Sequence, residues 1–356
     1  MNIFVFNPEC DVAQGLDSHA YTPTRKVADF MGRYALLPAV LANPGDYILL
    51  RNIPSSVYNP AGISHIRNLP FYPLMDQRGV IPVNYKEVSS ALSSGAQLIP
   101  WGWSRSLVAE LTKNGTDISL LPSMTELRKF RNLAHRKTGI SFLSLQDAEL
   151  DHIIGPCEVS DLRSALSKIR DYGVACLKLP WSSSGRGIVF SNQLDARHLN
   201  GWIEGGIRQQ GSVIIEKAYQ RQLDFASEWM INEGTIEFLG YSLFEVSGRG
   251  KYTSNVLLNP QRLASRLENL IPTLPLWIER QKHFISTHIA PSYSGPLGFD
   301  MFLTNDGILN PCVEINLRRT MGHVALEISR IMASDPYSEI SSYFQNIFPD
   351  NRFILS

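Results

Sequence analysis

Residues Asn2 to Phe6 alternate and then run apolar into Asn7-Pro8, the pattern of a buried strand that ends at a loop. Tyr47 to Leu50 and Gln97 to Pro100 repeat it. Helical spacing from Thr24 to Leu41 and around Ser106 to Lys113 completes an α/β unit over residues 1–115. From Ser123 to Gly139 the pattern predicts one basic helix, capped by Ser123 or Thr125 and stopped at Gly139. A second unit starts there. Asp161 to Tyr172 reads as a helix and Val174 to Leu179 as a strand. Strands at Ser212 to Glu216, Phe225 to Ile231 and Thr235 to Ser242 predict a mostly antiparallel sheet. Helices return at Pro260 to Leu270 and Leu276 to His288. Strands at Gly298 to Leu303 and Leu309 to Ile315 flank Asn305-Asp306-Gly307, before a helix over His323 to Met332.

Composition narrows the function classes. Lys plus Arg and Asp plus Glu each number 33 in 356 residues, so no global field draws the chain to nucleic acid or an anionic membrane. Any anionic ligand must be held locally. Cys10, Cys157, Cys176 and Cys312 form no CxxC pair, which argues against a zinc knuckle or dense disulfides and fits a reducing cytoplasm. The first residues carry neither a basic leader nor a small-residue cleavage site. No apolar run is long enough to span a bilayer.

Three segments carry chemistry. In the first, Lys178 leaves a buried strand into the Ser/Gly segment Ser182 to Gly187, offering a cation and free backbone N–H groups to phosphates. The bland alternative is a turn of small polar residues. In the second, a strand ends in Glu216-Lys217-Ala218, with Asp224 beyond it, which suits an adenine edge and ribose hydroxyls. An ordinary solvated strand end competes with that. The third is the hairpin that brings Asp300 and Glu314 onto neighbouring strands, with Asn316 on the face of Glu314 by the period of two. Two carboxylates and an amide are the oxygen donors that Mg²⁺ takes alongside phosphate. A salt bridge from Asp300 or Glu314 to Arg318 or Arg319 is the alternative.

In this order the three segments resemble the ATP-grasp superfamily, which includes D-alanine ligase, biotin carboxylase and glutathione synthetase. The resemblance spans Ser123 to Ala325. It implies an α/β chain, α+β in its central part. An N-terminal pre-ATP-grasp domain (1–115) would precede a two-lobed grasp, one lobe at 116–216 and the other at 217–356. By position, Lys178 would contact ATP phosphates under a loop containing Ser183, Ser184, Gly185, Arg186 and Gly187. Glu216 would meet the adenine amino group, the backbone of Lys217 and Ala218 the ring edge, and Asp224 the ribose. Asp300, Glu314 and Asn316 resemble the magnesium triad, with Mn²⁺ as a substitute, and Arg318 the arginine that faces the transferred phosphate or the acyl intermediate. A second ATP-binding lysine normally stands on the preceding helix; here Arg128 and Lys129 are near its place, and counting back from Gly139 favours Arg128.

The implied activity is ADP-forming ligation: a carboxylate is activated as an acyl phosphate and captured by an amine or thiol. Its partners are a small-molecule or peptide carboxylate and a nucleophilic acceptor. Phosphoryl transfer to a hydroxyl, and nucleotide binding without turnover, are the competing readings. His19, His283 and His323 need not be catalytic. For substrate, Arg249, Lys251, Tyr252 and Asn255 combine cations and polar groups after a strand. Trp101 and Trp103 follow a strand in the N-terminal unit, where they could stack on a substrate or simply pack.

Overall fold

A computed structural model of the protein describes residues 1–51, 63–146, 153–182, 187–247 and 252–355. It divides into two compact units, Met1–Arg128 and Lys129–Ser356.

The first unit is built on a parallel sheet of β1 (Asn2–Val5), β2 (Tyr47–Leu49), β3 (Ile81–Val83) and β4 (Gln97–Pro100), in the order β3-β2-β1-β4. Ile3, Phe4, Val5, Ile48 and Leu49 are buried, as expected for a parallel sheet covered on both faces. Its helices are α1 (Cys10–Leu16), α2 (Arg25–Arg33), α3 (Tyr72–Gln77), α4 (Tyr85–Ser93) and α5 (Arg105–Lys113). Thr24 to Leu41 is therefore not one helix. After Arg33 the chain turns and makes a short 3-10 segment at Leu37–Val40, where Pro38 cannot supply an N–H to a continuing ladder. Strand β3 has no counterpart in the hydropathy pattern, since it is three residues long and contains Pro82.

The basic helix predicted over 123–139 is two helices, α6 (Met124–Leu133) and α7 (Lys137–Ser144). Gly139 stops neither. It lies inside α7, where a Cβ would come within 3.2 Å of Cys312 Sγ, so its role is close approach of the helix to a strand.

The second unit holds two antiparallel sheets. One has the order β5-β8-β6-β7, from β5 (Cys157–Val159), β6 (Ala175–Lys178), β7 (Ile188–Phe190) and β8 (Val213–Lys217). Helices α8 (Leu162–Tyr172) and α9 (Ala196–Gln210) pack on it around Ala165, Leu177, Ile203 and Ile215. The other has the order β13-β12-β9-β10-β11-β14. Its strands are β9 (Arg221–Asn232), β10 (Thr235–Val246), β11 (Tyr252–Val256), β12 (Gly295–Thr304), β13 (Leu309–Asn316) and β14 (Arg352–Phe353). The strand ending in Glu216 thus belongs to a different sheet from the two after it. Helices α10 (Pro260–Leu270), α11 (Leu274–Phe284), α12 (Met321–Ser334) and α13 (Glu339–Ile347) complete the unit. Trp229, Leu274, Phe284, Phe299 and Met301 form its main core. Among the described residues no helix is long and apolar enough to cross a membrane.

Candidate functional site

Strand periodicity builds the site. Along β9, Asp224, Ala226 and Glu228 share a face, while Phe225 and Trp229 enter the core behind it. The hairpin register sets Asp300 directly opposite Glu314 and beside Ala226. Phe299 and Met301 point into the core. Glu314, Asn316 and Arg318 follow at intervals of two, and all three face a cavity of about 1020 Å³ that also receives Lys178 from the smaller sheet.

The carboxylates there are not alike. Burial, then the charge of Glu314 opposite, holds the Asp300 carboxyl well above its usual range. Burial also works against ionised Glu314, but Arg136, Lys178 and Arg318 outweigh it and leave that carboxyl below the usual value. The cation on Glu314 is Arg136, whose Nη2 meets Oε2. The salt bridge weighed as the alternative to a metal site is thus present at Glu314, with Arg136 as its cation. Arg318 instead donates from Nη2 to Asn316 Oδ1 at 3.0 Å and from Nη1 to the Arg319 carbonyl at 3.0 Å.

Lys178 Nζ lies 2.6 Å from Glu216 Oε2, so these two sequence candidates are partners. Asp224 accepts from Arg221 Nη1 at 2.8 Å, and Arg221 covers the Phe302 ring at 4.4 Å. Ala218 lines the cavity, but its N–H is already donated to the Val174 carbonyl at 2.9 Å. That leaves carbonyls rather than this N–H to read a ring edge. Lys217 turns its ammonium over the Tyr219 ring, 5.5 Å from the centroid.

Arg128 and Lys129 are exposed on α6, and neither is among the cavity residues. Arg136, in the break between α6 and α7, is the basic side chain that reaches the cavity from this segment. The break places it there. Ser183, Ser184, Gly185 and Arg186 lie outside the described residues, as do Arg249 and Lys251. Gly187 has φ +69°, where a Cβ would come within 2.9 Å of Leu179, and its carbonyl accepts the Leu179 N–H at 2.9 Å. Tyr252 and Asn255 both line the cavity, and the tyrosine hydroxyl donates to Asn255 Oδ1 at 2.7 Å.

Trp101 and Trp103 belong to the first unit. Trp101 is buried with its ring edge-on to Phe6 at 5.0 Å, and its N–H goes to Val5 O and Asn7 Oδ1. It packs. The Trp103 carbonyl accepts from Gln14 Nε2 at 2.8 Å.

One buried group escaped the sequence reading. Glu228 is fully buried on β9 and accepts from Ser242 Oγ at 2.7 Å and Thr320 Oγ1 at 2.9 Å, with His323 Nδ1 at 2.9 Å. Burial opposes its charge, yet His323 and the two hydroxyls hold its carboxyl below the usual value. A carboxylate inside Phe225-Ala226-Ser227-Glu228-Trp229-Met230-Ile231 is the signal that could have found it, because an unpaired charge there is costly. Gly322 makes the room: a Cβ there would run into Glu228 Oε1 and Ser242 Oγ.

Among the described residues no three His, Cys, Asp or Glu side chains form a metal cluster. The oxygen donors present nevertheless fit magnesium. Two opposed carboxylates, with the Asn316 amide on the strand of one of them, are oxygen donors of the kind magnesium takes.

No family model matches the sequence, and no curated protein matches it. Solved structures do match the fold. The biotin carboxylase of Campylobacter jejuni, solved as a β-γ-ATP complex, superposes with a TM-score of 0.50 at 11% identity, over 97% of this chain and 70% of that one. The biotin carboxylase domain of the Hydrogenobacter thermophilus 2-oxoglutarate carboxylase gives 0.48 at 13%, over 93% and 69%. The N5-carboxyaminoimidazole synthetase of Staphylococcus aureus gives 0.47 at 12%, over 97% and 76%. Such identities speak to architecture alone, and by that architecture the chain has the ATP-grasp fold.

Proposed function

We propose that the protein is an ATP- and magnesium-dependent ligase that activates a carboxylate as an acyl phosphate for attack by an amine or a thiol. The observation that carries this is the convergence of Asp300, Glu314, Asn316 and Arg318 from one hairpin on a cavity that Lys178 enters from the opposite sheet. The ATP-grasp fold, shared with a biotin carboxylase solved with β-γ-ATP, supports it.

In this reading the adenine lies toward Ala218, with Glu216 behind it and Asp224 at the ribose. Lys178 holds phosphate oxygens, and Arg318 faces the phosphoryl group in transfer. Asp300, Glu314 and Asn316 hold magnesium, which when bound supplies neutralisation of phosphate charge. The substrate carboxylate attacks the terminal phosphorus and ADP leaves; the acceptor then attacks the acyl carbon and phosphate leaves. Positioning and fixed charge do the catalytic work, so no side-chain nucleophile is needed. Tyr252 and Asn255 border the space left for the substrate.

The test is calorimetric binding of ATP with and without Mg²⁺ to the native chain and to Asp300→Asn. Magnesium-dependent binding that the variant loses supports the assignment. Equal affinity in both proteins sinks the metal site, and no binding to the native chain sinks the nucleotide. Phosphate release that requires both an acid and an amine or thiol then separates a ligase from a kinase, which would leave the phosphate on its substrate.

A further inference from the structure

We propose that Glu228 is a positioning residue for phosphoryl transfer: by holding Thr320 it fixes the carbonyl that clasps the Arg318 guanidinium. This deepens the ligase reading above and rests on its placement of Arg318 at the phosphoryl group.

Glu228 borders the cavity but has no exposed surface, so it acts on a ligand through other residues. Its place in the sheet shows which ones. The register sets Gly298 opposite Glu228 on β9 and opposite Asn316 on β13, so the three form one row across the strands. Gly298 leaves the middle of that row open. A Cβ there would stand 2.8 Å from Glu228 Oε2 and 3.2 Å from Thr320 Cγ2, and over this gap Glu228 Oε2 accepts the Thr320 hydroxyl at 2.9 Å. The same hydroxyl accepts the His323 N–H at 3.2 Å and caps α12, so Thr320 is gripped between the sheet and the helix.

That grip reaches Arg318 in one step. The Arg319 carbonyl lies in the planar peptide that ends at Thr320, and it accepts Arg318 Nη1 at 3.0 Å. The other arm, Nη2, goes to Asn316 Oδ1 at 3.0 Å, at the far end of the Glu228 row. A guanidinium is a rigid fork, so two held arms set the direction of the whole group. Stability alone is a poor reason for a carboxylate here, since a buried ionic cluster replaced as a whole by apolar residues commonly leaves a fold as stable or more so. The chain instead gives up side chains at Gly298 and Gly322 to admit it.

The experiment is calorimetric measurement, on the full chain with folding checked by circular dichroism, of the dissociation constant of Mg·ADP alone and with aluminium fluoride, which stands in for the phosphoryl group in transfer. The proteins are wild type, Glu228→Met, Arg318→Ala and the double variant; methionine keeps the volume and removes the acceptor. Glu228→Met should leave Mg·ADP within about threefold of wild type and lose about tenfold or more of the tightening that aluminium fluoride brings. Arg318→Ala should lose as much or more, and the double variant no more than Arg318→Ala, because both act through one guanidinium. Losses that add in the double variant, or an unchanged response to aluminium fluoride in Glu228→Met, would give Glu228 a structural role only and overturn the proposal. If Glu228→Met does not fold, Thr320→Val and Thr320→Ser carry the test: the response should be lost with valine and kept with serine, and equal behaviour of the two overturns it. A wild-type chain that binds Mg·ADP without any response to aluminium fluoride overturns the proposal and leaves the nucleotide site standing. One that does not bind Mg·ADP overturns the ligase reading as well.

Discussion

Glu228 and Asp300 stand on neighbouring strands and face one cavity, yet their surroundings are opposite. Glu228 has no exposed surface and is met by two hydroxyls and an imidazole, so its charge is satisfied within the protein. The His323 ring faces Glu228 with Nδ1 and the Trp229 carbonyl with Nε2. Asp300 faces another carboxylate, Glu314, and its hydrogen-bonding neighbours are that group and Asn316, with no ion pair to it among the described residues. Completed charges belong to the frame, and incomplete ones mark where something is to bind.

The sharpest way to break that contrast is Glu228→Ala. It would leave His323, Ser242 and Thr320 without their acceptor in a buried place, at a cost of about 3–5 kcal/mol. The midpoint of thermal unfolding should drop by on the order of 10 °C. Loss of less than about 1 kcal/mol would remove Glu228 from the frame.

Asp300→Asn should do the reverse. Removing one of two opposed carboxylates relieves repulsion, so Tm should hold or rise, while magnesium-dependent turnover falls by about a hundredfold or more, roughly 3 kcal/mol. A variant that is destabilised like Glu228→Ala would place both carboxylates in one structural class and erase the comparison.

Gly322→Ala probes the same frame from its other side, since the added methyl collides with Glu228 Oε1 and Ser242 Oγ together. Overpacking of this kind costs about 1–3 kcal/mol. Gly298→Ala approaches Glu228 Oε2 at 2.8 Å and should cost less. Differential scanning calorimetry of the two variants checks the order, and a Gly322→Ala protein as stable as wild type would contradict the packing around Glu228.

How far the sequence reaches follows from the same residues. The Asp300 and Glu314 pairing was legible because a tight Asn305-Asp306-Gly307 turn fixes register and the period of two fixes which side chains share a face. Helix α10 was legible because Asn259-Pro260 is a capping residue followed by a first-turn proline. Arg136 was not, because it sits in a run with Arg128, Lys129, Arg131 and Lys137, and only the break between α6 and α7 singles it out. That break is tertiary. Glu228 was passed over for a related reason: its partners Ser242, Thr320 and His323 are distant in sequence, and no local pattern joins them.

The smallest effect concerns His135, a buried side chain whose surroundings favour the neutral ring, in contrast to the charged groups of the cavity. Its Nδ1 accepts the Lys137 N–H at 2.9 Å, Nε2 lies 3.3 Å from Glu158 Oε1, and the ring stands edge-on to Trp181 at 4.4 Å. Burial lowers its pKa to about 4, with Lys137, Arg131 and Arg136 acting in the same direction and Glu158 against them. In the unfolded chain the value returns to about 6.5. Between these two pH values the unfolded state binds the proton more readily, so this contribution to stability is complete above pH 6.5 and is lost as pH falls through 4. With allowance for solvent near the ring it is about 1–2 kcal/mol. His135→Asn keeps an acceptor at the Nδ1 position and removes the titration. Its Tm at pH 7 should be lower than wild type because the contact with Trp181 is lost, but between pH 6.5 and 4 it should decline less steeply. Parallel declines in the two proteins would mean that His135 is protonated as easily in the fold as out of it.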